Sequence, residues 1–357
     1  MHLIVQTLHE ERLKAKALKL IKYSKGLRKP ITEDVFKLRI YLSPQDFYVV
    51  NYLRRTPLSA FNPGAILRHD KLLIFPRLIF DYYNYVSSIG YAELNIDELI
   101  YGNVRCPLTT RIILWPTETW EFRGCEDARI HEFNDEYYIL YTGFGYLLYG
   151  DTFRDLKTVI VQGLAKVSKD LKVKSRGFFA IESRYGRYIP KSNKDGAFIE
   201  IKGDKALLLA RPTINDVDVC WKGIADLNEH ILYEESLEPI LGFEPWELKV
   251  GWSTNVVKIS SNEYLVGWHA VLKEDLSYRN GLAIIDDQGN LLAISNYLLT
   301  PRGVEESYGD RPLVIFGTGL VKYKDMLLWI GGLSDYAVGI FIADFNDVLD
   351  KLKWLKG

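Results

Sequence analysis

Five times along the chain a short polar turn opens onto an apolar run: HDKLLIFPR, NDEYYILYTG, KGDKALLLARP, SNEYLVGWHAV and YKDMLLWIGGLSD, beginning near residues 69, 134, 202, 261 and 323. In front of each run lies a second strand-like stretch, AFNPGAIL, EDARIHEF, GAFIEIKG, STNVVKIS and GTGLVKYK, so the tight turn between the two reads as a hairpin. A third stretch follows each, with a glycine or other small residue inside it: SSIGYAEL, VIVQGLAKV, VCWKGIADL, RNGLAIID and YAVGIFIADF. The period of about 58 to 68 residues is too long for a single hairpin repeat and fits a unit that is a whole small sheet. Three antiparallel strands per unit, with a less regular outer strand such as TRIILW, predict an all-β fold, a five-bladed β-propeller. A pair of β-sandwiches would repeat strands without this long period.

The pattern places one domain over residues 1–357, with an N-terminal extension over 1–57, blades over 58–345 and a C-terminal helix over 346–357. DFYVVNYLRR, Asp46 to Arg55, is the candidate for the missing outer strand of the last blade, which would remove a sheet edge by tying the two ends together. Residues 8–22 and FNDVLDKLKWLKG carry apolar residues at helical spacing, with Asn346 as a candidate N-cap for the second. The simplest role for both is packing, and the first is also a candidate for a subunit contact in a homo-oligomer.

Composition removes several classes of function. The 45 basic and 46 acidic residues nearly cancel, which leaves no electrostatic footprint for nucleic acid or an anionic membrane. No stretch approaches the roughly 18 apolar residues that span a bilayer. MHLIVQTLHEERLKAK lacks the apolar core and cleavage site of a signal peptide, and Cys106, Cys125 and Cys220 form an odd set without CxxC, so the expected setting is the cytoplasm with reduced thiols. The six histidines are scattered and no His or Cys pair has ligand spacing, so no metal and no other cofactor is expected. Aromatic residues make up 13% of the chain, a composition that suits strands and surfaces on which sugar rings stack.

The start of a hairpin's first strand and the end of its second lie at the same end of the sheet. This pairs Asn62 with Arg77, Asp127 with Thr142, Asp195 with Arg211, Thr254 with His269, and Thr318 with Gly332, all 14 to 16 residues apart. Polar groups recurring at equivalent ends of apolar strands converge on one rim of the central channel. Each has a plainer reading alone: Asn62 as an Asn-Pro turn former, Arg77 as a snorkelling side chain, Lys194 and Asp195 as a turn, Lys249 as an exposed strand residue, His269 as a core histidine, Tyr278 as the start of the YRNG turn. Those readings are independent of one another, and the repeat is not.

RGCEDARI, Arg123 to Ile130, carries the sharpest question. A sugar-cleaving acid needs a carboxyl whose pKa is raised by burial or a neighbouring negative charge. Successive residues on a strand point to opposite faces, so only one of Glu126 and Asp127 is expected to face the channel. Arg129 shares the face of Asp127 and is a candidate to hold it as a carboxylate by charge pairing, which would lower its pKa; spacing leaves its protonation open.

From Phe61 to the last blade the motifs FNPG, the strand ending at Arg77 with SSIGYA after it, GCEDAR with YYILYTG, KDGAF with LLARP, WELKVGW, GWHAV with YRNGLAIID, and GGLSD resemble glycoside hydrolase family 130, the β-mannoside phosphorylases and related mannosidases. The resemblance implies a five-bladed propeller. It puts the family's acid, in a Glu-Asp-Pro-Arg motif, on Asp127, acting through a sugar hydroxyl that relays the proton. It implies that Asn62, Arg77 and Asp335 bind the glycone, and that Arg211, Lys249, His269 and Tyr278 hold inorganic phosphate as co-substrate beside the anomeric carbon. Glu126, Arg129 and Asp195 complete the expected substrate-binding set. The implied reaction is inverting phosphorolysis of a small β-mannoside to α-mannose 1-phosphate.

The chain departs from the family's pattern at Ala128, where the family has proline, at GWSTN after the lysine, and at Ala210, where phosphorylases often have histidine. Trp252 is expected to add bulk near the phosphate or acceptor. Glu305 and Glu306 in GVEES are the candidates to activate water, which keeps an inverting hydrolase as the alternative, beside a non-catalytic sugar-binding propeller.

Overall fold

The computed structural model describes residues 2–355. A helix, α1 (His2–Tyr23), precedes two short strands, β1 (Leu38–Leu42) and β2 (Phe47–Val49). The first hairpin group is β3 (Ser59–Arg68), β4 (Lys71–Ile79), β5 (Ser87–Asn95) and, past the short helix α2 (Ile96–Ile100), β6 (Leu108–Leu114). The second is β7 (Gly124–Phe133), β8 (Glu136–Leu148), β9 (Leu156–Ser168) and β10 (Val173–Phe178). In the third, β11 (Ala180–Ser183) and β12 (Gly186–Tyr188) precede β13 (Asn193–Lys202), β14 (Lys205–Pro212) and β15 (Cys220–Asp226), with β16 (Ile231–Tyr233) and β17 (Glu238–Leu241) on its outer side. The fourth is β18 (Glu247–Lys258), β19 (Glu263–Leu272), β20 (Tyr278–Asp286) and β21 (Leu291–Ile294). After α3 (Gly303–Ser307) the fifth is β22 (Ile315–Tyr323), β23 (Met326–Leu333) and β24 (Ala337–Asp344), and the described chain ends in α4 (Phe345–Leu349) and β25 (Lys353–Trp354).

The fold is all-β. The three leading strands of each group pair antiparallel in sequence order, as the turn signals require. Their first strands pack side by side: β3 against β7, β7 against β13, β13 against β18, β18 against β22, and β22 back against β3. This explains why the runs are continuously apolar rather than alternating. Each sheet is covered on both faces by its neighbours, so both sets of side chains are buried. Leu73 and Phe75 meet Ile130 and Ile139 between the first and second groups, and Trp221 meets Trp252 and Trp268 between the third and fourth.

The ends of the chain depart from the sequence expectation. The outer strand of the fifth group is β1, not Asp46–Arg55: Leu38, Ile40 and Leu42 face Ile342, Ile340 and Val338 across an antiparallel register. In the other stretch the apolar alternation stops at Val49. Phe47 and Val49 are buried beside the first group, where β2 runs parallel to β6, while Tyr52 and Leu53 are exposed. Arg39 fastens β1 to α3 by binding Glu306 and Asp34, and Tyr41 also donates to Glu306. The C-terminal helix is only one turn long. Asp344, not Asn346, caps it by accepting from the backbone N–H groups of Asn346 and Asp347. The chain then returns as β25 to pair with β21, and Lys356 and Gly357 of the expected helix lie outside the described residues. Helix α1 lies on its own chain, with Leu13 and Ala17 in the core of the third and fourth groups. Among the described residues no helix is long and apolar enough to cross a membrane.

Candidate active site

All five first strands are interrupted by a bulge at the same place, between Phe61 and Gly64, Glu126 and Arg129, Lys194 and Ala197, Trp252 and Val256, and Gly317 and Gly319. The repeat-equivalent residues Asn62, Asp127, Asp195, Thr254 and Thr318 sit in these bulges. In the first three the residue is left-handed, with φ of +44°, +52° and +58°, and Asp335, in the turn after β23, has φ +54°. Asn and Asp tolerate this region better than other side-chain-bearing residues. Residue type at these positions thus serves the backbone as well as the cavity into which the first three bulges aim their side chains.

That cavity, of about 240 Å³, is lined by residues of all five groups. Along one wall Asn62 Nδ2 donates to Asp127 Oδ1 at 2.8 Å, and Arg77 Nη2 donates to Glu126 Oε1 at 2.8 Å while its Nη1 lies 3.4 Å from Asp127 Oδ1. Asp335 faces the same guanidinium. Arg77 is held in turn by donation from Nε to Ser87 Oγ (2.8 Å) and lies over the ring of Phe61. Gly332 leaves the space Asn62 needs: a Cβ there would stand 2.0 Å from its Oδ1. Burial pushes Glu126 up, with Asp127 adding to it against the pull of Arg77, and burial likewise pushes Asp335 up.

Strand alternation fails at this point. The bulge and the left-handed Asp127 turn Glu126 and Asp127 into the same cavity. Arg129 is not the ion partner of the Asp127 carboxylate. Its Nη1 donates to the backbone oxygen of Asp127 (2.8 Å), its Nε to that of Ser253 (2.7 Å), and its Nη2 reaches Asp195 Oδ1 at 3.3 Å, so it braces three bulges from below.

The opposite wall is cationic. Arg211 donates from Nε to Asp195 Oδ2 (2.7 Å), and its Nη1 lies 3.2 Å from Asp218 Oδ1. Burial pushes Asp195 up, but Arg211 and Arg129 together outweigh it and hold the carboxyl well below its usual range. Lys249 is half-buried with its ammonium 5.8 Å from the Tyr278 ring centre, and burial, aided by Arg211, pulls its pKa down to about 8. His269 stacks on Tyr278 at 5.4 Å, and its Nδ1 lies 2.9 Å from Ser253 Oγ. Burial pulls it well below the usual histidine range, so at neutral pH it is a neutral imidazole rather than a cation. Tyr278 opens β20 rather than a turn, and its hydroxyl accepts from Arg311 Nη2 at 3.1 Å. Gly251 is what lets the wall close: a Cβ there would lie 2.5 Å from Arg211 Cδ and 2.7 Å from His269 Cε1.

Ten of the eleven expected residues line the cavity, border it or, like Arg129, lie directly beneath it; Lys249 reaches it through Tyr278 and Arg211. Arg311 and Lys194 line it as well. Lys194 lies in the flagged SNKDGA stretch, whereas Arg311 lies between groups, outside any strand, where the repeat gives no signal. Three other expectations do not hold. Trp252 is fully buried in the core, its Nε1 donating to the Trp221 carbonyl, and Ala210 pairs with Trp221 inside its sheet, so neither borders the cavity. Glu306 is consumed by Arg39, Tyr41 and the Arg302 N–H, and Glu305 is exposed on α3. Neither stands where water could be activated at the cavity.

The family model described as beta-1,4-mannooligosaccharide phosphorylase, that of glycoside hydrolase family 130, matches residues 26–354. A beta-1,2-mannobiose phosphorylase of Thermoanaerobacter sp. (strain X514) is 28% identical over 270 residues, 74% of this chain and 80% of that protein. A 1,2-beta-oligomannan phosphorylase of the same organism is 27% identical over 75% of this chain and 82% of its own length. Among solved structures, the beta-1,2-mannobiose phosphorylase from Listeria innocua, in complex with beta-1,2-mannobiose, superposes with a TM-score of 0.65 at 18% identity, covering 88% of this chain and 98% of that one.

Proposed function

The chain belongs to glycoside hydrolase family 130, and on that premise we propose that it is a β-mannoside phosphorylase built as a five-bladed β-propeller, cleaving with inversion to give α-mannose 1-phosphate. The observation that carries this reading is the division of one cavity into a carboxylate wall and a cationic wall. Asn62, Arg77 and Asp335, with Glu126, bind the glycone. Phosphate lies against Arg211, Lys249, His269 and Tyr278, with Arg311 beside them, where charge-assisted donors fix it for attack. A phosphate oxygen forms the bond to C1 as the bond to the leaving oxygen breaks. That oxygen takes the proton of Asp127 through a sugar hydroxyl, and the proton shed by hydrogen phosphate restores Asp127. Fixed attack geometry takes the place of a general base. The absence of Glu305 and Glu306 from the cavity favours phosphate over water as the nucleophile.

Both curated relatives are named for β-1,2 linkages, so β-1,2-mannobiose is the first substrate to test and β-1,4-mannobiose the second. Incubation with each, with and without phosphate, and phosphorus NMR of the product decide the matter. A phosphate-dependent α-mannose 1-phosphate signal is expected. Free mannose released equally without phosphate would make the protein a hydrolase, and no turnover of any glycoside would leave a binding protein.

A further inference from the structure

One strand outward from Arg77, on the first group, lies a second cavity of about 400 Å³ walled by Tyr52, Phe80, Val86 and Trp115. Tyr52 and Phe80 pack at 4.7 Å, while Trp115 keeps half of its surface exposed. Ser88 is among the residues lining this groove, and its hydroxyl, buried beneath the groove's surface, has no partner among the described residues. A buried hydroxyl without a partner is costly unless something satisfies it. Ser87, its neighbour, lines the groove and also accepts from Arg77 Nε, so groove and active cavity share a wall. The register agrees: Arg77 faces Ile89, which faces Leu114, so the residues following β6, Trp115 among them, emerge at the same end of the sheet as Arg77.

We infer that this groove is a distal subsite for the leaving part of an oligosaccharide substrate. The inference rests on the function proposed above. In an in-line displacement the nucleophile and the leaving oxygen stand on opposite faces of the reacting ring. Phosphate against the third and fourth groups therefore sends the leaving oxygen toward the first and second groups, and the chain it carries past the glycone's contacts with Arg77 and Glu126 toward the groove behind Ser87. The apolar face of a sugar ring stacks on Trp115 and Tyr52, and Ser88, once its side chain rotates toward the groove, offers its hydroxyl to the ring's polar edge. Substrates longer than a disaccharide are thus the ones the groove selects.

The test uses β-1,2- and β-1,4-mannooligosaccharides of two to five units with the full chain, wild type, Trp115→Ala and Ser88→Ala. Trp115 is half exposed, so its truncation leaves the core intact. In the wild type kcat/KM rises with chain length, and Trp115→Ala lowers it roughly three- to tenfold for the longer substrates, more than for the disaccharide. A chain-length profile that neither substitution alters, or an equal loss at every length, overturns the inference. Wild-type protein that turns over none of these sugars sinks the phosphorylase reading instead, and calorimetric titration with the same oligosaccharides then decides the groove. Binding weakened in Trp115→Ala sustains it; no binding, or binding indifferent to Trp115, overturns it.

Discussion

On one side of the cavity three carboxylates, Glu126, Asp127 and Asp335, crowd the guanidinium of Arg77, with Lys194 and Arg311 acting more weakly on Glu126 and Asp335. On the other the ratio is reversed: Asp195 stands between two guanidiniums, Arg211 and Arg129, and Lys249 stands close by. The two walls bury charge to a similar depth, yet their titrations move in opposite directions. Glu126 and Asp335 are pushed up, Asp195 is held down, and Lys249 is drawn to about 8. Burial acts on every one of these groups, so the difference lies in how many opposite charges each has to share. A surplus of carboxylates strengthens their hold on a proton, while a surplus of cations favours an anion as partner.

Substitutions at four positions would break or sharpen this contrast. Asp127→Asn should lower kcat for phosphorolysis by about 10²- to 10⁴-fold. It should leave the KM for phosphate nearly unchanged, and an aryl mannoside, whose leaving oxygen needs less help from a proton, should recover much of the rate. A parallel loss in phosphate affinity would mean that the walls do not act separately. Asp195→Asn removes the charge that two buried guanidiniums share and should cost about 3–5 kcal/mol at neutral pH, read by denaturant unfolding. Because the folded pKa of Asp195 is depressed, its contribution is complete above the unfolded carboxylate range. The gap between wild type and variant should shrink progressively as pH falls from that range toward the lower folded value.

Lys249→Met should raise the KM for phosphate about 10- to 100-fold. Lys249 is charged below about 8 and neutral above, so the wild-type KM should climb as pH passes that value, and Lys249→Arg should move the climb to higher pH. Glu126→Gln is the smallest change and has the opposite sign to Asp195→Asn. With its folded pKa raised, ionised Glu126 is a burden at neutral pH, so the variant should melt roughly 1–3 °C higher there. That advantage should vanish as pH falls through the raised value, where the wild-type side chain is protonated too. Loss of melting temperature in Glu126→Gln at pH 7 would show that its bond to Arg77 outweighs its burial.

The hairpin repeat was legible because sheets covered on both faces leave long apolar runs between polar turns, and the equivalence of Asn62, Asp127 and Asp195 followed from counting along those runs. Side-chain direction was not legible at the same positions. Counting assumes a regular pleat, and an extra residue in a left-handed bulge reverses the alternation, which is why Glu126 accompanies Asp127 and Arg129 does not. The short polar residues flanked by Pro, Ala or Gly in FNPG, CEDAR and NKDGA were the available sign of those bulges. Arg311 lay beyond reach because it belongs to no repeat unit, and β1 was hidden because five residues of weak alternation look no better than the Phe47–Val49 stretch that pairs elsewhere.

The pairing of β1 with β24 sets an order on the birth of the protein. During synthesis Asp195, Arg211, Lys249 and His269 emerge together within two consecutive groups, whereas Asn62 must wait for Gly332, Arg77 for Asp335, and β1 for β24. Contacts so distant in sequence form slowly. A nascent chain therefore brings Arg211, Lys249 and His269 together well before β1 can meet β24 or Asp335 can join Arg77.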